Sequence, residues 1–208
     1  LFDMKLATIT DPYDRRELRL AMAGILEGNL REHARAFEVL CAALGDNPTD
    51  EVVVNETERM AQVLGAWKPL TELYQRLLDE VTDPDLVRDL CLRSARHLEE
   101  QLNDVDGAIA KYQRVLELDE FRPDALANLD RLFQQLERWR DLAGILEKRI
   151  AVGGEPGQML TFRFQLGYLK EQIFEDIPAA IDNYRQILWD EPKHGEALAA
   201  LERLLDVK

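Results

Sequence analysis

The side chains able to do chemistry are few and scattered. His33, His97 and His194 lie far apart and share no common setting, and the chain holds no HExxH, no paired cysteines and no acidic EF-hand loop, so ordinary surface or packing roles are expected for them. Cys41 and Cys91 are fifty residues apart, form no CxxC and have no neighbouring base in sequence, which reads as two small buried hydrophobes. The run Gly153-Gly154-Glu155-Pro156-Gly157 lacks the Lys-Ser/Thr of a phosphate loop and reads as a turn. Acidic pairs such as Glu99-Glu100 and Asp119-Glu120 put adjacent side chains in different directions on a helix, which suits solvated helix ends better than acid–base work. No catalytic residue, no metal site and no cofactor are therefore expected, and an enzyme would need a pocket that these residues do not announce.

Composition narrows the class further. The chain has 208 residues, 46% hydrophobic and 32% charged, with only 8 Pro and 11 Gly, a balance that predicts a folded, helical protein. Its 40 acidic against 26 basic residues give a net charge of −14, which repels phosphate backbones and anionic lipid, so neither nucleic acid nor membrane is expected as a partner. No run of eighteen apolar residues and no signal-peptide layout is visible, which favours the cytoplasm, and the absence of an initiator Met makes the chain look like a segment of something longer.

What does recur is the sequence itself. A shift of 72 residues superposes Asp11-Pro12 on Asp83-Pro84 and Glu155-Pro156, Ala36 on Ala108 and Ala180, Trp67 on Trp139, and Arg59 on Arg131 and Arg203. Within each unit apolar residues return at three- and four-residue spacing in four runs. The helices expected lie at 12–28, 32–44, 50–64, 67–81, 85–101, 105–117, 122–137, 139–152, 157–173, 177–189 and 193–207. Residues 1–10 match 73–82 and are expected to be the tail of a helix cut short. Asp11-Pro12 and Asp83-Pro84 each place a capping oxygen before a proline at the first helical position, and the short connections between runs require antiparallel hairpins. The whole chain, 1–208, reads as one segment of repeat units 11–82, 83–154 and 155–208.

Two helix hairpins per 72 residues give about 36 each, close to the tetratricopeptide period. The order Leu166-Gly167-Tyr168, then Ala180-Ile181, Tyr184, Ile187 and Pro192, resembles the tetratricopeptide pattern, as do Ser94-Ala95 with Ala108, Tyr112 and Val115. The alternate hairpin departs from it, with Asp130 where the family usually has Gly or Ala and Leu142 where it has Ala. The resemblance implies an all-α fold, a right-handed α-α superhelix of about 11 helices in antiparallel hairpins. Physically, no single hairpin buries its apolar face, so each stacks on the next.

The resemblance also places Arg59, Arg131 and Arg203 mid-way along the first helices of their hairpins, on the concave side, joined by Gln62, Asn128 and Gln134. Such a ladder could take an acidic peptide or a terminal carboxylate through bidentate guanidinium contacts. The alternative is an ion-pair role bridging neighbouring helices. Phe162 and Tyr168 are expected in the core, and Trp189, whose repeat equivalent is Glu117, is expected exposed. The function expected is a non-catalytic protein–protein interaction scaffold that holds a peptide or helix of its partner. Its rival is a structural spacer that associates end to end.

Overall fold

The structure is a computed structural model that describes residue 6 and residues 8–205. Among the described residues it is all helix, without strands. The helices are α1 Pro12–Gly28, α2 His33–Asp46, α3 Glu51–Leu64, α4 Trp67–Glu80, α5 Pro84–Glu100, α6 Val105–Leu118, α7 Pro123–Gln135, α8 Trp139–Val152, α9 Pro156–Gln172, α10 Ile177–Asp190 and α11 Gly195–Leu205. Their bounds repeat with the sequence. Helices α1, α5 and α9 begin at 12, 84 and 156, and α2, α6 and α10 at 33, 105 and 177, each 72 residues after the last.

Local chemistry sets these boundaries. Asp11 accepts from the Asp14 N–H at 3.0 Å and Asp83 from the Asp85 N–H at 3.0 Å, each ahead of a proline that has no N–H to leave unpaired. The turns keep the period too. Arg31, Asn103 and Glu175, 72 residues apart, all adopt a left-handed conformation with φ of 52–56°, as do Gly65 and its equivalent Glu137 at 65° and 54°. A non-glycine residue there is strained, so the same hairpin bend is being enforced by packing at every repeat. Left-handed Glu137 also ends α7 at Gln135 rather than at the expected 137. Helix α11 starts at Gly195 rather than 193, because the His194 Nδ1 caps it by accepting from the Ala197 N–H at 3.3 Å. The expected helix tail over 1–10 and the last residues, 206–208, lie largely or wholly outside the described residues.

The chain divides into two compact units, residues 1–111 and 112–208, with the division inside α6. In the first, α1 packs on α2, α2 on α3 and α4, and α4 on α5, around buried Leu40, Leu44, Met60, Leu70, Tyr74 and Leu90. In the second, α7 packs on α8, α8 on α9, α9 on α10 and α10 on α11, around Leu126, Phe133, Leu146, Tyr184 and Ile187. Helices in contact and joined by a few residues must run antiparallel. Ala36 and Ala180 are fully buried, as close approach within a hairpin requires, and Gly167 lies against the Tyr184 ring. Cys91 is buried and Cys41 half-buried, its thiol pushed up to about 11 by burial, which suits packing and not nucleophilic chemistry. Phe162 is in the core as expected and Trp189 is 84% exposed. Tyr168 corrects the reading of the apolar stripe: it is 52% exposed and lines an open cleft instead of filling the core.

Candidate partner-binding surface

The first helices of the hairpins carry the residues singled out by sequence. On α3, Arg59 grips Glu27 of α1 with both guanidinium arms, Nη1 to Oε1 at 2.9 Å and Nη2 to Oε2 at 2.6 Å, while its Nε donates to Glu56 at 2.9 Å. Gln62, one turn on, is exposed. On α7, Arg131 donates to Asn128 Oδ1 at 3.2 Å and Gln135 Oε1 at 3.4 Å. Asn128 donates to the Asp124 carbonyl at 2.9 Å, and exposed Gln134 to Asp130 at 2.5 Å. On α11, Arg203 donates to Glu171 of α9 at 2.6 Å. That carboxylate is buried and also accepts from Tyr184 Oη at 3.0 Å and Gln172 at 2.7 Å.

Arg59 and Arg203 thus each bridge two first helices of successive hairpins, and each meets a glutamate thirty-two residues before it in sequence. Glutamates stand at 27, 99 and 171, in step with the three arginines, a signal legible in the sequence that the arginines alone do not reveal. The Arg59 pair is well exposed, and such pairs stabilise by only about 0–1 kcal/mol. Its geometry still orients the guanidinium, and the hydrogen bond from Arg59 holds the Glu27 carboxyl below its ordinary value.

Two acids, half-buried Glu58 in the first unit and buried Asp130 in the second, stand at the same place of the repeat. Glu58 accepts from Tyr74 Oη at 2.8 Å and from His97 Nε2 at 3.1 Å, with Arg93 at 3.5 Å. Burial pushes its carboxyl up, but the hydrogen bonds from His97 and Tyr74 and the nearby charges outweigh that and hold it below the ordinary value. Asp130, seventy-two residues on, is paired instead with Arg149 of α8 and with Gln134. This answers the departure from the tetratricopeptide pattern at that position: the acid is accommodated by a cation from the second helix.

A pH dependence follows for the first unit. The carboxyls of Glu58, Glu27 and Asp50, the last hydrogen-bonded by Arg16 at 2.6 Å, all sit below their ordinary values. A depressed carboxyl adds stability that is complete above its unfolded-state value, about 4, and is lost as pH falls through the lower folded value. The melting midpoint of the native chain is expected to fall from about pH 6 to about pH 3 more steeply than that of Glu58→Gln. Parallel curves would show that Glu58 does not carry this dependence.

In the second unit an open apolar cleft of about 350 Å³ lies between the end of α7, the start of α8 and the second half of α9, walled by Trp139, Leu142, Phe164, Tyr168, Leu169 and Ile173. The helical spacing of these residues reads as core filling and does not announce the cleft. Among the described residues no cluster of three or more His, Cys, Asp or Glu gathers as a metal site would need, and no helix is long and apolar enough to cross a membrane.

Residues 125–160, which form α7, α8 and the start of α9, match the tetratricopeptide repeat family. Among solved structures, the chain is similar to a thermophilic tetratricopeptide-repeat protein of Thermus thermophilus, with 16% identity over 91% of this chain and 98% of that one and a TM-score of 0.37. It is similar to YrrB, a tetratricopeptide-repeat protein with an unusual peptide-binding site, with 17% identity over 89% and 91% of the two chains and a TM-score of 0.43. A tetratricopeptide repeat protein from Parabacteroides merdae is similar at 14% identity over 91% and 72%, with a TM-score of 0.47. No curated protein matches the chain.

Proposed function

We propose that this tetratricopeptide-repeat chain is a non-catalytic scaffold that binds a peptide or helix of another protein against the first helices of its hairpins, through Arg59, Gln62, Asn128, Arg131, Gln134 and Arg203. The observation that carries the reading is the double use of the arginines. Arg59 stands 42% exposed by side chain while two of its arms are held on Glu27, and Arg203 stands 60% exposed while held on Glu171. A guanidinium fixed in this way faces a partner with its geometry set beforehand, so less rotamer freedom is lost on binding. Uncharged donors and acceptors on Gln62, Asn128 and Gln134 lie on the same helices and suit the main chain of a bound segment.

Affinity capture from a cell lysate tests it, with the native chain and an Arg59→Ala, Gln62→Ala, Arg131→Ala variant as baits. Arg203 is left in place because it neutralises buried Glu171. Proteins held by the native chain and released by the variant, with the two melting midpoints within a few degrees, are the expected result. Capture of the same proteins by both baits would remove this face from the account.

A further inference from the structure

Helices α3, α7 and α11 begin at 51, 123 and 195, in step with the 72-residue repeat, and carry the same stripe of side chains in two different states. On α7 the stripe is Leu126, Asp130 and Phe133, all buried where α8 packs on it. On α3, in the first unit, the equivalents are Val54, Glu58 and Ala61, and the two apolar members are buried in the core that α3 and α4 share. On α11 the stripe is Leu198, Glu202 and Leu205, and it stands open, with Leu198 39% exposed, Leu205 57% exposed and Glu202 exposed. The other side of α11 is occupied: Ala197, Ala200 and Leu201 pack with Tyr184 and Ile187, and Arg203 turns to Glu171 of α9. The open stripe therefore belongs neither to the core nor to the arginine face.

Its chemistry is specific. The middle residue is an acid at all three places, and each covered acid is met by a donor from the covering helix, Glu58 by Tyr74 Oη of α4 at 2.8 Å and Asp130 by Arg149 of α8. Among the described residues no cation and no hydrogen-bond donor meets Glu202. The two covering helices also share a face. Each opens on a tryptophan, Trp67 or Trp139, and buries apolar residues three, six and seven positions later, Leu70, Leu73 and Tyr74 in α4 and Leu142, Ile145 and Leu146 in α8.

Like stripes on like helices accept like partners, so the α11 stripe asks for an antiparallel helix that is apolar on one side. Glu202 narrows the choice, because covering a carboxylate without a countercharge is costly. Of the two covering helices α8 brings that cation, Arg149, whereas Leu77 holds the equivalent place in α4.

We propose that the Leu198, Glu202 and Leu205 stripe of α11 is a docking site for one amphipathic helix of a partner protein, laid antiparallel as α8 lies on α7, with its apolar side on the two leucines and an arginine against Glu202. This goes beyond the arginine-face reading and does not depend on it.

The sequence of α8 is itself the probe. The test is a titration of the isotopically labelled chain with the acetylated, amidated peptide of residues 139–152, read by NMR at Leu198, Glu202 and Leu205 and repeated with the same peptide carrying Arg149→Glu. Saturable shifts at the three residues are expected at a dissociation constant on the order of 0.1 mM, since so short a helix must order as it binds. The Arg149→Glu peptide is expected to bind about fivefold more weakly, and the Glu202→Lys chain to reverse that preference. Leu198→Glu, a change at an exposed position, is expected to abolish binding and leave the melting midpoint in place. No saturable shifts, shifts confined to α7 because the peptide displaces α8 from its own seat, or a preference untouched by Glu202→Lys would overturn the assignment. Sedimentation of the chain without peptide is expected to show a monomer over a wide concentration range. A concentration-dependent dimer that Leu198→Glu dissolves would mean that a second copy covers the stripe, and would overturn the assignment as well.

Discussion

Arg149→Met is expected to lower the stability of the second unit by about 3 kcal/mol, the size found when one partner of a buried ion pair is removed. Asp130 is 5% exposed, and its carboxylate is met by Arg149 and by Gln134 at 2.5 Å. Methionine keeps much of the apolar stem, which matters because the guanidinium also lies over the Phe162 ring, 4.0 Å from its centroid. What is lost is then mainly the countercharge, and the carboxylate remains buried with one neutral donor. Asp130→Ala, the residue type the tetratricopeptide pattern prefers, is expected to cost under about 1 kcal/mol, because no charge is stranded and Arg149, a quarter exposed, can turn to water. Denaturant unfolding followed by Trp139 fluorescence separates the two. Equal losses would mean the pair is not acting as a buried charge pair.

Gly167→Ala is expected to cost about 1–3 kcal/mol, and to lower the melting midpoint by several degrees. A Cβ at this position would lie 2.8 Å from Tyr184 Cε1 and 3.1 Å from Cζ. The ring has little room to retreat: it is buried, its hydroxyl is held on Glu171 at 3.0 Å, and Phe164 stands 5.6 Å away, centroid to centroid. Gly144→Ala in α8 is the matched control, since nothing lies within 4 Å of its added Cβ, and it is expected to stabilise by about 0.5–1 kcal/mol through helix propensity alone. Because Tyr184 and Arg203 both end on Glu171, the strain of Gly167→Ala is also expected to couple with Tyr184→Leu, which relieves it.

The helices are legible in the sequence because their determinants are local. Apolar spacing, the Asp-Pro starts and the 72-residue self-similarity place the hairpins to within one or two residues at each end, and two of the ends that differ, those at Glu137 and His194, do so through short-range events, a left-handed residue and a side-chain cap, that periodicity does not encode. The arginines are legible as a recurrence, but their partners are not: Glu27 and Glu171 lie thirty-two residues away, and only the fold shows that one guanidinium reaches each. The cleft is the least legible feature. Phe164, Tyr168 and Ile173 have the spacing of a core stripe, and their role turns on what is absent opposite them, the charged plug that His97 and Arg93 supply one repeat earlier. A difference between equivalent positions, Arg93 against Gln165 and His97 against Leu169, carries that information in sequence, yet its meaning needs the packing around it.

The most direct measurement of partner binding on this face is site-specific photo-cross-linking in lysate, with the photoreactive residue placed in turn at Gln62 and Gln134 on first helices and at exposed Glu38 and Arg185 on second helices. Discrete adducts of the same mass from Gln62 and Gln134, with none from Glu38 or Arg185, are the predicted result. Adducts spread equally over all four positions, or confined to the second helices, would contradict it.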